Sequence, residues 1–221
     1  MKFNIKKLLF VFVILVCFSS ILMPIDIGAY LAPKFIFNVG DSGLKIQGNT
    51  KNTLNMYAGG GLAVGYNFDI FHKYSTVRVE FEYLYRNALP GNAYTGDIKT
   101  VQSHTFLVGA YYDFNFLYIN YDNPDSVRSE LNGGKRPVMS VYAGFILGGE
   151  LNRYITCMNY EYLGLFKTSK YYNKTQFVYG FGGGLAFHIT EIVSVDLGYR
   201  LLLNTSSQLS HDVVASVRLN F

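Results

Sequence analysis

Between residues 77 and 86 the chain reads Val-Arg-Val-Glu-Phe-Glu-Tyr-Leu-Tyr-Arg, so Val77, Val79, Phe81, Tyr83 and Tyr85 share one parity and Arg78, Glu80, Glu82, Leu84 and Arg86 the other. A helix would scatter those charges around its circumference, whereas a strand of period two sorts them onto one face. The segment is therefore a strand with one wholly apolar side. The same alternation recurs in segments of about ten residues, separated by clusters of Asn, Gly, Asp, Lys and Ser. It predicts eight strands, at 30–39, 54–68, 76–86, 101–114, 138–152, 175–189, 193–204 and 212–221. All five prolines fall in the N-terminal segment, in connections or at strand starts, which spares the donors of interior ladders.

Alternation alone leaves open which face meets solvent, since soluble sandwiches and lipocalin-like barrels alternate as well. Composition decides it. The apolar parity carries Leu62, Val64, Tyr66 and Phe68, then Phe106, Val108, Tyr112 and Phe114, then Phe145, Leu147, Tyr179, Phe181, Leu197 and Tyr199. The opposite parity is small, with Gly59, Gly61, Ala63, Gly65, Gly144, Gly148, Gly180, Gly182, Gly184 and Ala186. A face in bulk water would carry Lys, Thr and Glu throughout, whereas a narrow lumen needs small residues and paired charges. The apolar face is thus the outer, lipid-facing one. On the small face, Lys34, Arg78, Arg86, Arg200 and Arg218 stand against Glu80, Glu82, Asp113, Glu150 and Asp196. An unpaired interior charge is expensive, so these residues are expected to join as a salt-bridge network filling the lumen. The expected fold is all-β: an eight-stranded antiparallel transmembrane β-barrel, an up-and-down meander.

The N-terminus reads as an export signal. Lys2, Lys6 and Lys7 precede an apolar run from Leu8 to Phe18, and small residues lead to Ala29, so cleavage is expected before Tyr30. Residues 1–29 are then the signal peptide and 30–221 the barrel domain. Losing Lys2, Lys6, Lys7 and Asp26 lowers the formal charge from +4 by a net two, and no basic stripe remains to bind nucleic acid. Cys17 departs with the signal, so Cys157 can form no internal disulfide. With 15% charged and 17% aromatic residues the chain is not a disordered one, and only its N-terminal stretch approaches the apolar length of a membrane helix.

The runs Gly59-Gly60-Gly61-Leu62-Ala63-Val64-Gly65-Tyr66, Val79-Glu80-Phe81, Gly109-Ala110-Tyr111-Tyr112-Asp113-Phe114, Asp196-Leu197-Gly198-Tyr199-Arg200 and Val217-Arg218-Leu219-Asn220-Phe221 carry a family likeness. In their order, and in the terminal Phe221, the chain resembles small outer-membrane β-barrels of the opacity-protein and surface-antigen type, similar in architecture to the membrane domain of outer-membrane protein A. The resemblance spans the whole mature chain. It implies a cell outer-membrane location, outer-membrane lipid and lipopolysaccharide as surroundings, and a monomer. It also implies that Val217, Leu219 and Phe221 form the signal read by the barrel-insertion machinery.

With both termini on the periplasmic side, the surface loops are 40–53, 87–100, 153–174 and 205–211. The connection 115–137 is long for a periplasmic turn, and its Asn123-Pro124 start and Gly133 stop predict a short helix there. The third loop interleaves Arg153, Lys167, Lys170 and Lys174 with Tyr154, Tyr160, Tyr162, Tyr171 and Tyr172, against Glu161. Such a surface suits a host receptor or acidic glycan through cation and aromatic contacts, or lipopolysaccharide phosphates and the interfacial girdle. Ser210-His211-Asp212 names the members of a hydrolytic triad, but neighbours on a strand point to opposite faces and cannot reach one another as a triad requires. The Gly-Gly-Gly runs lack the Lys-Ser/Thr and following helix of a phosphate loop, and the four His and lone Cys157 lack metal-ligand spacing. No cofactor or metal is expected, and no catalysis. The expected function is a non-enzymatic surface protein, a surface antigen, adhesin or envelope-integrity barrel; the alternative is a small passive porin, with a lipid-modifying enzyme behind both.

Overall fold

A computed structural model describes residues 28–41, 54–68, 74–89, 98–120, 135–158, 168–205 and 209–221. Eight strands follow one another: β1 (Ala29–Asp41), β2 (Leu54–Phe68), β3 (Ser75–Ala88), β4 (Ile98–Asn120), β5 (Lys135–Met158), β6 (Thr168–His188), β7 (Val193–Asn204) and β8 (Leu209–Asn220). Each pairs antiparallel with its sequence neighbours, and β1 also pairs with β8, so the sheet closes on itself. Closure leaves no edge along the barrel wall. The alternation read from the sequence has its structural counterpart here: Phe81 is 55% exposed while the adjacent Glu82 is 2% exposed. Outward residues form a continuous apolar surface in which Phe35, Phe145 and Phe181 are among the most exposed. A surface of that kind is stable only against hydrocarbon.

The end at which the described chain starts at Gly28 and stops at Phe221 is tied together by backbone bonds. Phe221 donates to the carbonyl of Ala29 at 2.8 Å, Asn67 to that of Gly28 at 2.7 Å, and Asn220 to that of Ile192 at 2.8 Å. Gly28 takes a φ of +69°, where a side chain would strain the backbone and its Cβ would run into the Asn67 carbonyl. Residues 1–27, and with them most of the expected export signal, lie outside the described residues. Around this end Tyr66, Phe68, Tyr112, Phe114 and Phe187 are exposed, a belt of aromatic rings of the kind that suits the boundary between lipid chains and headgroups.

Three strands are longer than the sequence indicates by six residues or more. β4 runs on through residues 115–120, which the alternation assigned to a connection, because register irregularities at Asn115/Leu117 and Leu117/Tyr118 break the period there. Phe116 and Leu117 consequently both face outward, and a strict two-residue count stops at the first of them. β5 also begins at Lys135, so the connection narrows to 121–134, and the helix expected near 123–133 lies outside the described residues. At the opposite end, residues 153–158 and 168–174, expected as loop, are paired strand, from Arg153 opposite Asn173 to Met158 opposite Thr168. Above the membrane no lipid demands an apolar outer face, so a strand there satisfies its backbone without an alternating pattern. β6 thereby extends ten residues, Thr168 to Phe177, past its last pair with β7, about 30 Å along the strand.

Candidate functional site

The small-residue parity turns inward and the lumen is filled. Lys34 Nζ lies 2.5 Å from Glu80 and also contacts Glu82. Arg200 donates to Glu82 at 2.7 Å and approaches Asp212 at 3.7 Å. Arg86 bridges Asp212 at 3.3 Å and Glu150 at 3.2 Å. Toward the termini, Arg78 lies 3.2 Å from both Glu80 and Asp196 and 3.5 Å from Asp113. Arg218 closes that side, 2.9 Å from Asp196 and 3.5 Å from Asp113. Glu80, Glu82 and Asp212 each serve two cations, so five cations and six carboxylates form one continuous network through the barrel.

Sequence reasoning missed one member. Asp212, fully buried, accepts hydrogen bonds from the Asn38 amide and, at 3.3 Å, from Ser210. Its signal is present in the sequence, since it shares the even parity of Arg218 on the last strand, but the contiguous Ser210-His211-Asp212 masks it. The barrel wall separates that trio: Ser210 and Asp212 turn inward, while His211 bonds Tyr199 on the outer side.

A second filling element has no counterpart in the alternation of any single strand. Ile36, Leu84, Leu107, Ile146, Val178, Leu202 and Val214 are buried together with Tyr111 as an apolar layer inside the lumen, supplied by every strand except β2. β2 contributes Gly61 instead, where a Cβ would meet Leu84 Cδ2 without room to spare. The other inward glycines likewise make space for bulky neighbours. A Cβ at Gly144 would lie 2.6 Å from the Tyr111 ring, and one at Gly182 would lie 2.9 Å from Arg200 Cγ and 3.0 Å from Ile146 Cδ1. Arg78 sits between the rings of Tyr111 and Tyr142, 4.9 and 4.8 Å from their centroids. At mid-barrel these groups leave a cavity of about 20 Å³ lined by Lys34, Arg78, Glu80, Asp196 and Arg200, room for about one water. Nearer the termini the lumen is polar: Ser140 lies 2.6 Å from the Asn115 amide oxygen and 2.7 Å from His188, whose Nδ1 is 2.9 Å from Ser194.

The solved structures that resemble this barrel include Neisserial surface protein A, 18% identical with 88% of this chain and 97% of that one covered, at a TM-score of 0.48. Ail, the attachment invasion locus protein of Yersinia pestis, is 15% identical, covers 87% of this chain and 97% of its own, and has a TM-score of 0.48. The N-terminal β-barrel domain of Pseudomonas aeruginosa OprF is 12% identical, with 88% and 98% covered and a TM-score of 0.41. No family model matches the chain, and no curated protein sequence matches it significantly.

Of the expected surface-binding residues, Arg153, Tyr154, Lys170, Tyr171, Tyr172 and Lys174 lie on the extended β5–β6 ribbon. Register sets Tyr154 opposite Tyr172, Ile155 opposite Tyr171, and Lys174 opposite Asn152, with Arg153 exposed on β5 and Lys170 opposite Thr156. Tyr160, Tyr162 and Lys167 lie outside the described residues. At the other end of the molecule, Leu219 is buried between Leu31 and Val193 on the neighbouring strands, while Val217, opposite Val195, and Phe221 are half-buried, so these three are less open than the mid-barrel aromatics.

Proposed function

We propose that this chain is an exported, non-enzymatic outer-membrane barrel of the opacity and surface-antigen type, whose lumen is closed and whose function lies in the β5–β6 ribbon and the loops beside it. The observation that carries the reading is the filling of the lumen. An eight-stranded barrel has an interior just wide enough for side chains, and here a continuous ion-pair network and an apolar layer both cross it. Solute passage would require breaking buried pairs that cost several kcal/mol each to separate. What remains available to a partner is the surface beyond the membrane, and there the ribbon extends furthest among the described residues and interleaves Lys and Arg with Tyr. That chemistry suits an acidic glycan or an acidic patch on a host receptor.

The test is single-channel recording on residues 30–221, refolded in detergent, checked for heat-modifiable gel migration and inserted into a planar bilayer, with the same protein applied to immobilised sulfated and neutral glycans. The expected result is electrical silence together with retention on the sulfated glycan that is lost when Lys170 and Lys174 are changed to Gln. Reproducible ohmic steps from the folded barrel would make it a small porin and overturn the reading.

A further inference from the structure

At the terminal end of the lumen, polar side chains pass hydrogen bonds from strand to strand in a single direction. Ser140 on β5 donates to Asn115 Oδ1 on β4 at 2.6 Å, which uses its one hydroxyl proton. Its 2.7 Å contact with His188 Nε2 can then be made only if the imidazole donates, so Nε2 carries the ring proton and Nδ1 is left as acceptor. Nδ1 lies 2.9 Å from Ser194 on β7 and accepts that hydroxyl. Behind Ser194 stands Asn220 on β8, whose Nδ2 donates to Ser194 Oγ at 3.4 Å and to the Ile192 carbonyl at 3.2 Å, and whose Oδ1 accepts from Asn67 on β2 at 3.4 Å. The relay therefore crosses six strands with one polarity, and His188 is its hinge.

That polarity holds only while His188 is neutral. An imidazolium donates from both nitrogens, so Nδ1 would turn a proton on Ser194, whose oxygen already receives Asn220 and whose own hydroxyl proton would lose its acceptor. Ser194 is 1% exposed, and a buried donor without a partner is costly. The charges around the ring are already committed. Arg136 on β5, Arg78 on β3, Arg218 on β8 and Asp196 on β7 surround it. Asp196 is shared by Arg78 and Arg218, and so is Asp113 on β4. Glu191, in the turn beyond, has a partner of its own. A proton on His188 thus adds a cation beside three others with no carboxylate waiting for it.

What the relay secures is the β6–β7 turn. The Ile189 and Thr190 amides donate to the Val193 carbonyl, and the Asn220 amide donates to that of Ile192. Side chains grip the same stretch from both flanks, Arg136 on the carbonyls of His188 and Ile189 at 3.3 Å and Asn220 on that of Ile192. The geometry points to His188 as a proton-operated latch: neutral, it completes the relay and holds the turn against the end of the lumen; protonated, it reverses the Ser194 contact and releases that end. The Glu82–Arg200–Asp212 pairs and the apolar layer lie further from the termini, so the release loosens the end without opening a path through the barrel.

The test is hydrogen–deuterium exchange on the full chain, extracted in mild detergent from membranes of expressing cells and shown to be folded by its heat-modifiable migration. Rates are compared at about pH 7.5 and about pH 5, on either side of the ordinary imidazole midpoint, after correction for the intrinsic pH dependence of exchange. The segments holding the Ile189, Thr190 and Asn220 amides are expected to exchange about tenfold faster at the lower pH, the factor one buried hydrogen bond represents, while the segment around Phe145 stays unchanged. His188→Gln, whose amide can donate to Ser140 and accept from Ser194 but takes up no proton, should abolish the difference. Equal corrected rates in the native chain overturn the latch, and so does a rise that persists in His188→Gln, which would assign the effect to Asp113 and Asp196. If His188→Gln does not fold, the imidazole nitrogen resonances of the native protein decide. The His188 proton is expected on Nε2 at the higher pH and on both nitrogens where the turn loosens; a proton on Nδ1 alone, or a neutral His188 in the loosened state, overturns the proposal.

Discussion

Glu82 is the point at which the two halves of the lumen network meet. It binds Lys34 and accepts from Arg200 at 2.7 Å, and it is almost wholly buried. Glu82→Gln keeps the volume but turns an amide donor toward two cations. Leaving a buried charge uncompensated costs about 3–5 kcal/mol. Here Lys34 retains Glu80 at 2.5 Å, and Arg200 retains only Asp212 at 3.7 Å, so the expected loss is about half of that, ~2 kcal/mol. Glu150→Gln is the matched comparison. That side chain is the most exposed of the network at 14%, and its partner Arg86 keeps Asp212 at 3.3 Å and Thr105 at 2.7 Å, so the loss should stay below about 1 kcal/mol. The chain has no tryptophan, so unfolding in urea is followed by strand circular dichroism and by the heat-modifiable gel shift. The difference between the two variants should survive a rise from 0.1 to about 1 M salt, because buried pairs are screened far less than exposed ones. In a double-mutant cycle with Arg200→Met, the double variant should lose less than the sum of the singles by about 1–2 kcal/mol. Equal losses for Glu82→Gln and Glu150→Gln, or additivity in the cycle, would mean the charges are separately hydrated, and the argument for a closed lumen would fail.

Two further substitutions probe the packing inside the barrel. Gly144→Ala should abolish the folded, heat-modifiable band, since its Cβ would press on the Ala110 carbonyl and the Tyr111 ring, whereas Gly149→Ala, whose Cβ would meet nothing nearer than 3.9 Å, should fold normally. Leu202→Ala should lower stability in the urea assay by about 3 kcal/mol, because Leu202 is fully buried in the apolar layer and its neighbours come from a rigid wall that cannot collapse around the void. A loss below about 1 kcal/mol would show the layer to be loosely packed.

The alternation in residues 77–86 is a local property, and it places each strand and sorts its two faces without knowledge of any partner. Its failures are as local as its successes. Register irregularities around Phe116 and Leu117 hid the end of β4, and beyond the membrane the lysine- and tyrosine-rich stretches of β5 and β6 lost the apolar parity while their backbones continued to pair. Pairing needs only N–H and C=O groups, so the pattern fades before the strand does.

By itself the sequence determined which residues share a face, which face is small, and that cations and carboxylates occur there in near balance. Only closure decided who meets whom. Arg78 reaches Asp196 across 118 positions of chain, and Asp212 joins Arg86 across 126, because register between neighbouring strands and the β1–β8 seam sets the height of every inward side chain. The apolar layer arises in the same way: Ile36, Leu84, Leu107, Ile146, Val178, Leu202 and Val214 are isolated apolar residues among inward polar and glycine positions, unremarkable on any one strand, and they become a core when the ring brings them together. Period two is written in adjacent residues, whereas a contact across a lumen depends on the stagger of all eight strands at once.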